Sequence, residues 1–128
     1  MKKVLVVEDD PFIISIYIGQ LKKEGFDVDG AETVEKALEK IKSFKPDAMV
    51  LDMNLSVSSP GPKDGLDILK AVRANPESKG VKVVVASNYS LQEYPELAEL
   101  NELGVAKIFL KIEASPDDIA ATLKELVM

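Results

Sequence analysis

The sequence contains no cysteine and no histidine. The lack of cysteine excludes disulfide bonds, thiolate zinc sites and thiol nucleophiles, and the lack of histidine excludes imidazole bases, serine–histidine triads and histidine metal ligands. Most hydrolase chemistries are therefore ruled out. What remains is chemistry by carboxylates, lysines and hydroxyls, a set suited to oxygen-coordinated Mg²⁺ and to phosphoryl groups.

Long apolar runs are also missing from this chain of 128 residues. No segment is long enough to span a bilayer, and Glu8 interrupts the first apolar run before it could serve as a signal peptide. We therefore expect a cytoplasmic protein without membrane contact. The net charge of −6 disfavours direct binding of nucleic acid. The length fits one compact domain.

Apolar runs rich in β-branched residues alternate with segments of helical periodicity along the whole chain. The runs do not alternate between apolar and polar residues, which is typical of strands buried on both faces of a parallel sheet. They cover residues 4–7, 48–51, 81–86 and 105–110, with a weaker run, expected at an edge, at 26–31. Five βα units predict an α/β fold, a doubly wound five-stranded parallel sheet with strand order 2-1-3-4-5.

Capping residues indicate where the helices begin. Asp10 and Ser115, each followed by proline, predict the N-termini of the first and fifth helices, and Thr33 predicts that of the second. The fourth helix has two possible starts, a capping box at Ser90 or a first turn at Pro95. The sequence leaves that choice open.

Acidic residues gather where two of the predicted strands end. Glu8, Asp9 and Asp10 follow the first apolar run, and Asp52 closes the third. In the order 2-1-3-4-5 these strands are neighbours at the switch point, where α/β proteins bind ligands. Repulsion among the carboxylates predicts a site for a divalent cation. For Asp10 alone, helix capping is the alternative interpretation.

The order of these residues resembles the response regulator receiver domain over essentially the whole chain. The matching residues stand at the ends of four predicted strands: Glu8, Asp9 and Asp10, then Asp52, Ser87 and Lys111. The resemblance implies a flavodoxin-like (βα)5 fold in which residues 1–128 form a single receiver domain, with no output domain in the chain.

The same resemblance implies a role for each of these residues. Asp52 would be the phosphoacceptor, Lys111 would pair with the phosphoryl oxygens, and Ser87 would hydrogen-bond one of them. The residues expected to hold Mg²⁺ are Asp9, Asp10, Asp52 and, through its backbone carbonyl, Asn54, with Glu8 in the layer behind them. Positive charge from the metal and from Lys111 would offset the repulsion between a carboxylate and a phosphoryl group.

The implied function is a phosphorylation-dependent switch of two-component signalling, which catalyses only its own phosphorylation and dephosphorylation. Because the chain has no histidine, the phosphodonor must be another protein, and the resemblance implies a sensor histidine kinase or a histidine phosphotransfer protein. The surface of strands and helices four and five would then rearrange for a downstream effector protein.

The first helix carries more apolar residues than a one-sided core contact needs. We expect Phe12 and Ile16 to face a phosphodonor, and the alternative is a broad core face with scattered exposed apolar residues. Ile108 stands where the family commonly has an aromatic residue that reports the active state. It is a further candidate for the partner surface.

Other positions depart from the family pattern. Gly65 is the thirteenth residue after Asp52, several positions more than the family usually has. This spacing predicts a longer loop beside the site. Ile112 replaces the proline that usually follows the lysine. Asn88 and Tyr89 stand where the family prefers a small residue, which suggests that dephosphorylation is slow.

Two other classes of function fit parts of the pattern. A receiver-shaped protein-binding module that is never phosphorylated is favoured by Ile108, Ile112 and Asn88, but the retained acids, hydroxyl and lysine argue against it. A Mg²⁺-dependent phosphatase or a flavin-binding protein would need an Asp-x-Asp pair or a phosphate-binding loop after the first strand, and neither is present. The kinase, the target and the oligomeric state are not predicted by the sequence.

Overall fold

A computed structural model describes residues 1–52, 63–87, 98–111 and 113–128. Across these residues five strands alternate with five helices, so the predicted (βα)5 alternation is confirmed. The strands are β1 (Lys3–Val7), β2 (Asp27–Ala31), β3 (Ala48–Asp52), β4 (Lys82–Ser87) and β5 (Lys107–Leu110). The helices are α1 (Pro11–Lys23), α2 (Val34–Phe44), α3 (Lys63–Ala74), α4 (Glu99–Glu102) and α5 (Pro116–Val127).

The five strands form one parallel sheet in the order β2-β1-β3-β4-β5. This is the predicted order, with β2 at one edge. Val7 near the end of β1 is aligned with Leu51 of β3, so both strands end at the same edge of the sheet. The acids that follow them are thereby brought to the switch point.

Two apolar layers enclose the sheet because successive residues of a strand point to opposite faces. The first layer contains Val4 and Val6 of β1 and the inward faces of α1 and α5. The second layer contains Leu5 and Val7 together with residues of α2, α3 and α4. Strands buried on both faces explain why the sequence shows continuous apolar runs.

The helix caps follow the sequence signals. Asp10 accepts a hydrogen bond from the Phe12 N–H at 2.9 Å, and Ser115 and Asp118 form a reciprocal capping box. Thr33 Oγ1 caps α2. Both predicted starts of the fourth helix, Ser90 and Pro95, lie outside the described residues.

The end of α4 explains why β5 is shorter than its apolar run. The run predicted a strand over 105–110, whereas β5 begins at Lys107. The Val105 N–H instead bonds to the Leu100 carbonyl at 3.1 Å and closes the last turn of α4. Helix termination therefore uses a residue whose side chain favours a strand.

Arg73 at the end of α3 ties this helix to the junction between α4 and β5. Its guanidinium donates to the carbonyls of Leu103 at 2.6 Å, Gly104 at 3.3 Å, Lys79 at 2.9 Å and Val81 at 2.7 Å. One side chain thus satisfies carbonyls in two separate turns.

Gly30 of β2 allows α1 to approach the sheet closely. A Cβ atom at this position would lie 2.6 Å from Cγ2 of Ile14.

Within the described residues, none of the helices has the length and apolar character required to cross a bilayer.

Candidate functional site

Three charged side chains extend the first apolar layer toward the edge where the strands end. Because residues two apart on a strand share a face, Glu8, Asp52 and Lys111 continue rows of that layer. The layer residues two positions before them are Val6, Val50 and Phe109, respectively. The charged group is therefore stacked directly on the core.

The ammonium of Lys111 lies between two carboxylates. Its Nζ is 2.8 Å from Oε2 of Glu8 and 3.1 Å from Oδ2 of Asp52. The Lys111 side chain is 18% exposed, and each of the two acidic side chains is 5% exposed. A charged group this well buried needs partners of opposite charge, and the structure supplies both.

Burial raises the pKa of Glu8 to about 7, and the negative charge of Asp52 and a hydrogen bond with Asp9 add to this rise, while Lys111 opposes it. Burial lowers the pKa of Lys111, but its hydrogen bond to Glu8 and the charges of Asp52 and Glu8 outweigh burial, so the pKa is raised overall. Lys111 is therefore a stable ammonium. Glu8 exchanges its proton near neutral pH.

Three carboxylates form a cluster that suits a metal ion. Oxygen atoms of Glu8, Asp9 and Asp52 all lie within 4.8 Å of one another. Glu8 and Asp52 are buried, and Asp9 is exposed to solvent. Such an all-oxygen, anionic set is what Mg²⁺ and Ca²⁺ prefer. The donor set therefore fits the Mg²⁺ that the sequence predicted.

Asp10 lies outside this cluster. Its exposed carboxylate accepts the Phe12 N–H as the N-cap of α1, which is the alternative interpretation given above. The sequence prediction put Asp10 among the metal ligands and Glu8 behind them, whereas the geometry favours Glu8 as the ligand. A ligand role for Asp10 stays a prediction.

Ser87 ends β4 beside the cluster and is fully buried. Its carbonyl accepts the Lys111 N–H at 2.9 Å, and the preceding residue, Ala86, is aligned with Asp52. Val85, which shares a face with Ser87, is aligned with Ile108. Ile108 is half-buried against the second layer, on the side of the sheet toward which Ser87 points.

The predicted docking residues of α1 are exposed. Phe12 is 71% exposed and Ile16 is 44% exposed, whereas Ile14 and Tyr17 are buried. Phe12 lies in the first turn of α1, at the end nearest the carboxylates, and Ile16 lies about one turn further along the same helix. Their role in binding a partner stays a prediction.

Several predicted features lie outside the described residues. These are the backbone carbonyl of Asn54, the longer loop after Asp52, the pair Asn88 and Tyr89, and Ile112. Their predicted effects remain predictions.

The sequence pattern did not distinguish Tyr17 from the apolar residues around it, although burial raises the pKa of its hydroxyl and the charges of Lys111, Glu8 and Asp52 also affect it. The structure buries the ring of Tyr17 in the first layer. A phenol among aliphatic residues on a core-facing stripe was the available signal, because a buried hydroxyl usually has a polar partner.

The fold and this site define a class of protein. A doubly wound domain with an acidic pocket and a lysine at its switch point has the form of a phosphorylation-based signalling switch. The family model of the response regulator receiver domain matches residues 4–124. The chain therefore belongs to the response regulator receiver domain family, and its place is in two-component signalling.

Individual relatives agree with this assignment. The chain is 32% identical over 127 residues to the alkaline phosphatase synthesis transcriptional regulatory protein PhoP of Bacillus subtilis, covering 98% of this chain and 48% of the relative. It is 32% identical over 111 residues to sporulation initiation phosphotransferase F of the same organism, covering 86% of this chain and 82% of the relative. The chain spans from about a third to about three fifths of the length of the first curated relatives it matches.

Solved structures show the same fold. The chemotaxis protein CheY4 of Vibrio cholerae matches with a TM-score of 0.82 and 24% identity over 99% of both chains. A CheY-like response regulator receiver domain protein from Methanospirillum hungatei matches with a TM-score of 0.78 and 27% identity, covering 98% of this chain and 93% of the other. The predicted flavodoxin-like topology is confirmed.

Proposed function

We propose that this domain is a phosphorylation-activated switch in the cytoplasm whose phosphoacceptor is Asp52. The phosphoryl group would come from a phosphohistidine on a sensor histidine kinase or a histidine phosphotransfer protein. The observation that carries the proposal is the setting of Asp52, a buried carboxylate with the Lys111 ammonium at 3.1 Å and two further carboxylates in the same cluster.

The chemistry requires that negative charges meet. A carboxylate oxygen of Asp52 bonds to phosphorus while the bond from phosphorus to the donor nitrogen breaks. Lys111 opposes the resulting repulsion, since two unit charges ~4 Å apart interact by about 4 kcal/mol at an effective dielectric near 20. Lys111 turns from the carboxylates to the phosphoryl oxygens, and Ser87 donates its hydroxyl hydrogen to one of these oxygens.

Glu8, Asp9 and Asp52 would hold Mg²⁺, with the backbone carbonyl of Asn54 as the further ligand predicted from the sequence. When bound, Mg²⁺ would supply positive charge that offsets the repulsion between Asp52 and the incoming phosphoryl group. The mutual repulsion of the three carboxylates is what a cation would relieve. This ligand set replaces Asp10 of the sequence prediction by Glu8.

The output passes to the surface formed by β4, β5, α4 and α5. Ser87 and Ile108 are on the same side of the sheet, so a movement of Ser87 toward the phosphoryl group alters the packing near Ile108. A downstream effector protein would bind the changed surface. The protein thus acts as a regulator, and its partner is a protein rather than nucleic acid.

The exposed apolar residues of α1 are the proposed docking surface for the phosphodonor. Phe12 and Ile16 have large exposed fractions, and they are close in sequence to the Asp10 cap and hence to the site. Burial of this surface against the donor would hold its phosphohistidine near Asp52.

Phosphorylation by a small donor tests the proposal directly. Incubation with acetyl phosphate and Mg²⁺ should add one phosphoryl group to the wild type, read by intact mass, and none to Asp52→Asn. Asp67→Asn is the matched control, because Asp67 is an exposed carboxylate on α3 and its loss should leave the gain in mass intact. A wild type that gains no mass, or an Asp52→Asn variant that does, would disprove the assignment.

A second experiment tests the docking surface. The variant Phe12→Ser/Ile16→Ser should accept phosphoryl groups from acetyl phosphate at the wild-type rate. Its rate from a histidine phosphotransfer protein that phosphorylates the wild type should fall about tenfold or more, the scale of losing one large apolar contact at an interface. Equal rates from the protein donor would remove these residues from the docking surface.

A further inference from the structure

A cavity lies at the edge of the sheet opposite the carboxylates, between the end of α2 and the turn at residues 75–81 that joins α3 to β4. Its volume is about 450 Å³, within the range of roughly 300–1,000 Å³ in which proteins bind small molecules. A second cavity of about 210 Å³ adjoins it between α2 and α3, since Ile41, Lys42, Asn75 and Ser78 line both. Together they form the α2–α3 cleft, which the proposed function does not use.

Much of the lining of the α2–α3 cleft is apolar. It includes residues of the second apolar layer and one that packs against this layer, namely Ile41, Val72, Val81 and Leu38. The first three are buried, and Leu38 is half-buried. An apolar group that entered the cleft would therefore lie against the core and be removed from water, which favours binding.

Two lysines at the end of α2, Lys42 and Lys45, also line the cleft. They are three positions apart, so they are neighbours on the helix surface and their like charges repel. No ion pair of either lysine is found in the described part of the chain. Of the two acids in the lining, Asp47 accepts the Lys3 N–H at 2.8 Å, and Glu77 lies on the turn after α3. The dipole of α2 offsets part of the repulsion, and a bound anion would offset more of it.

Lys45 has a backbone conformation that is unfavourable for a residue with a side chain. Its φ of 53° is left-handed, and it is the one non-glycine residue with a positive φ among the residues that the structure describes. Glycine is the usual residue at such a helix end, and Gly25 and Gly104 take this conformation after α1 and α4. A strained residue in the lining of a cleft points to a use for its side chain.

Ser78 adds a buried polar group to the lining. It is only 5% exposed, and its hydroxyl donates to the Val72 carbonyl at 2.7 Å. A hydroxyl oxygen can also accept, and no donor to this oxygen is found within the described ranges. Because buried polar atoms usually use their hydrogen-bonding capacity, Ser78 favours a ligand that carries a donor.

We propose that the α2–α3 cleft is a binding site for a small organic anion that carries an apolar ring system with one hydrogen-bond donor. Lys42 and Lys45 would bind the anionic group. The ring would lie against Ile41 and Val81, with its donor directed to the Ser78 oxygen. The cleft is at the edge of the sheet opposite the phosphoacceptor, so the inference does not depend on the proposed function. Binding is accordingly measured on the unphosphorylated, metal-free protein.

Indole-3-acetate is a suitable probe, because it has a carboxylate, an apolar bicyclic ring and one N–H. Titration followed by amide NMR signals should give saturable binding with a Kd of about 1 mM, the scale that a modest ligand efficiency gives for a molecule of this size. The signals of Ile41, Asn75, Ser78 and Val81 should shift, and those of residues 8–10 should not. A lack of saturable binding, or shifts centred on residues 8–10, would overturn the proposal.

Lys45→Gly separates binding from stability. Glycine adopts the left-handed conformation without strain, so the melting temperature should not fall, while loss of the ammonium should raise the Kd about two- to fivefold, the scale of one exposed ion pair. Lys22→Gln is the matched control, because Lys22 is also an exposed lysine in the last turn of a helix at this edge, and α1 packs on the other face of the sheet. Unchanged binding by Lys45→Gly, or an equal loss in Lys22→Gln, would contradict the proposal.

The contact with Ser78 is tested by comparing two ligands. Naphthalene-1-acetate resembles indole-3-acetate in shape but has no N–H. The ratio of the two Kd values should favour indole-3-acetate about three- to tenfold more in the wild type than in Ser78→Ala, the scale of one neutral hydrogen bond. Because each ratio compares two ligands on the same protein, a general loss of packing in Ser78→Ala cancels. A ratio that is the same in both proteins would show that Ser78 does not bind the ring donor.

Discussion

Nζ of Lys111 lies 2.8 Å from Oε2 of Glu8, although 103 positions separate the two residues in the chain. With Asp52 on its other side at 3.1 Å, the ammonium balances carboxylates at the ends of two different strands. The pair also has a functional consequence, because Glu8 is the acid whose ionisation changes near neutral pH.

The identity of the metal ligands can be tested with two neighbouring acids. Glu8→Gln should weaken Mg²⁺ binding at pH 8 by at least about tenfold, because it removes one of three anionic ligands. Asp10→Ser should change binding much less, since serine keeps the cap of α1. Titration calorimetry measures both. If Asp10→Ser weakens binding as much as Glu8→Gln, Asp10 is a ligand after all.

Mg²⁺ affinity should depend on pH through Glu8. The pKa of Glu8 in the metal-free protein is about 7, and a carboxyl group must lose its proton before it binds a metal. Affinity should therefore rise about tenfold from pH 6 to pH 8. The Glu8→Gln variant, whose side chain does not titrate, should show a much flatter profile. A steep profile in that variant would assign the pH dependence to another group.

The same pKa predicts the pH dependence of metal-free stability. The folded-state pKa of Glu8 lies above its ordinary value of 4.5, so the folded protein binds this proton more tightly than the unfolded chain does. The stabilisation is complete below pH 4.5 and is lost as the pH rises through about 7. Urea unfolding of wild type and Glu8→Gln at pH 5 and pH 8 should show a smaller decrease for the variant.

Two glycine substitutions should have opposite effects on stability. Gly30→Ala places a Cβ 2.6 Å from Cγ2 of Ile14, so it should destabilise the protein by about 1–3 kcal/mol through overpacking. In Gly19→Ala the added Cβ has no atom within 4 Å. Because Gly19 lies in the interior of α1, this substitution should stabilise the folded protein by about 0.5–1 kcal/mol. Chemical denaturation compares them. A neutral Gly30→Ala would mean that α1 is free to move away from β2.

Arg73 should hold the end of α4 in place. Arg73→Met removes the donors to four carbonyls, and we expect a loss of about 2 kcal/mol or more together with faster amide hydrogen exchange at residues 103–106. Lys70→Met is the control, because it removes only the exposed ion pair with Glu99 at 3.4 Å and should cost about 1 kcal/mol or less. Equal effects of the two variants would assign no special role to Arg73.

Much of the fold was accessible from the sequence because its strands are buried on both faces. Continuous apolar runs located four of the strands, a weaker run located β2, and the alternation with helices predicted the sheet order. Boundaries were less accurate where another interaction competes for the same residue. Val105 has strand propensity, but its N–H is needed to close the last turn of α4.

The site was predicted to the level of the strand ends and not to the level of individual side chains. Three consecutive acids follow β1, and the sequence does not state which of them faces the core. Two structural requirements decide which acid faces the core. Glu8 lies two positions after Val6 and so points to the same face of the sheet, and Asp10 is needed to cap α1. The contact between Glu8 and Lys111 depends on the pairing of distant strands, which no local pattern encodes.

The stacking of Glu8, Asp52 and Lys111 on rows of the core restricts how this domain can change. Deleting or inserting one residue within β1, β3 or β5 would reverse the facing of every side chain beyond it, so a charged group would turn toward α2 and α3 while an apolar one turned toward the ligands. Strand length in this protein is thus as tightly constrained as the chemical identity of its acids. Length variation is tolerated only in the connections, and one of these joins Asp52 at the end of β3 to Lys63 at the start of α3.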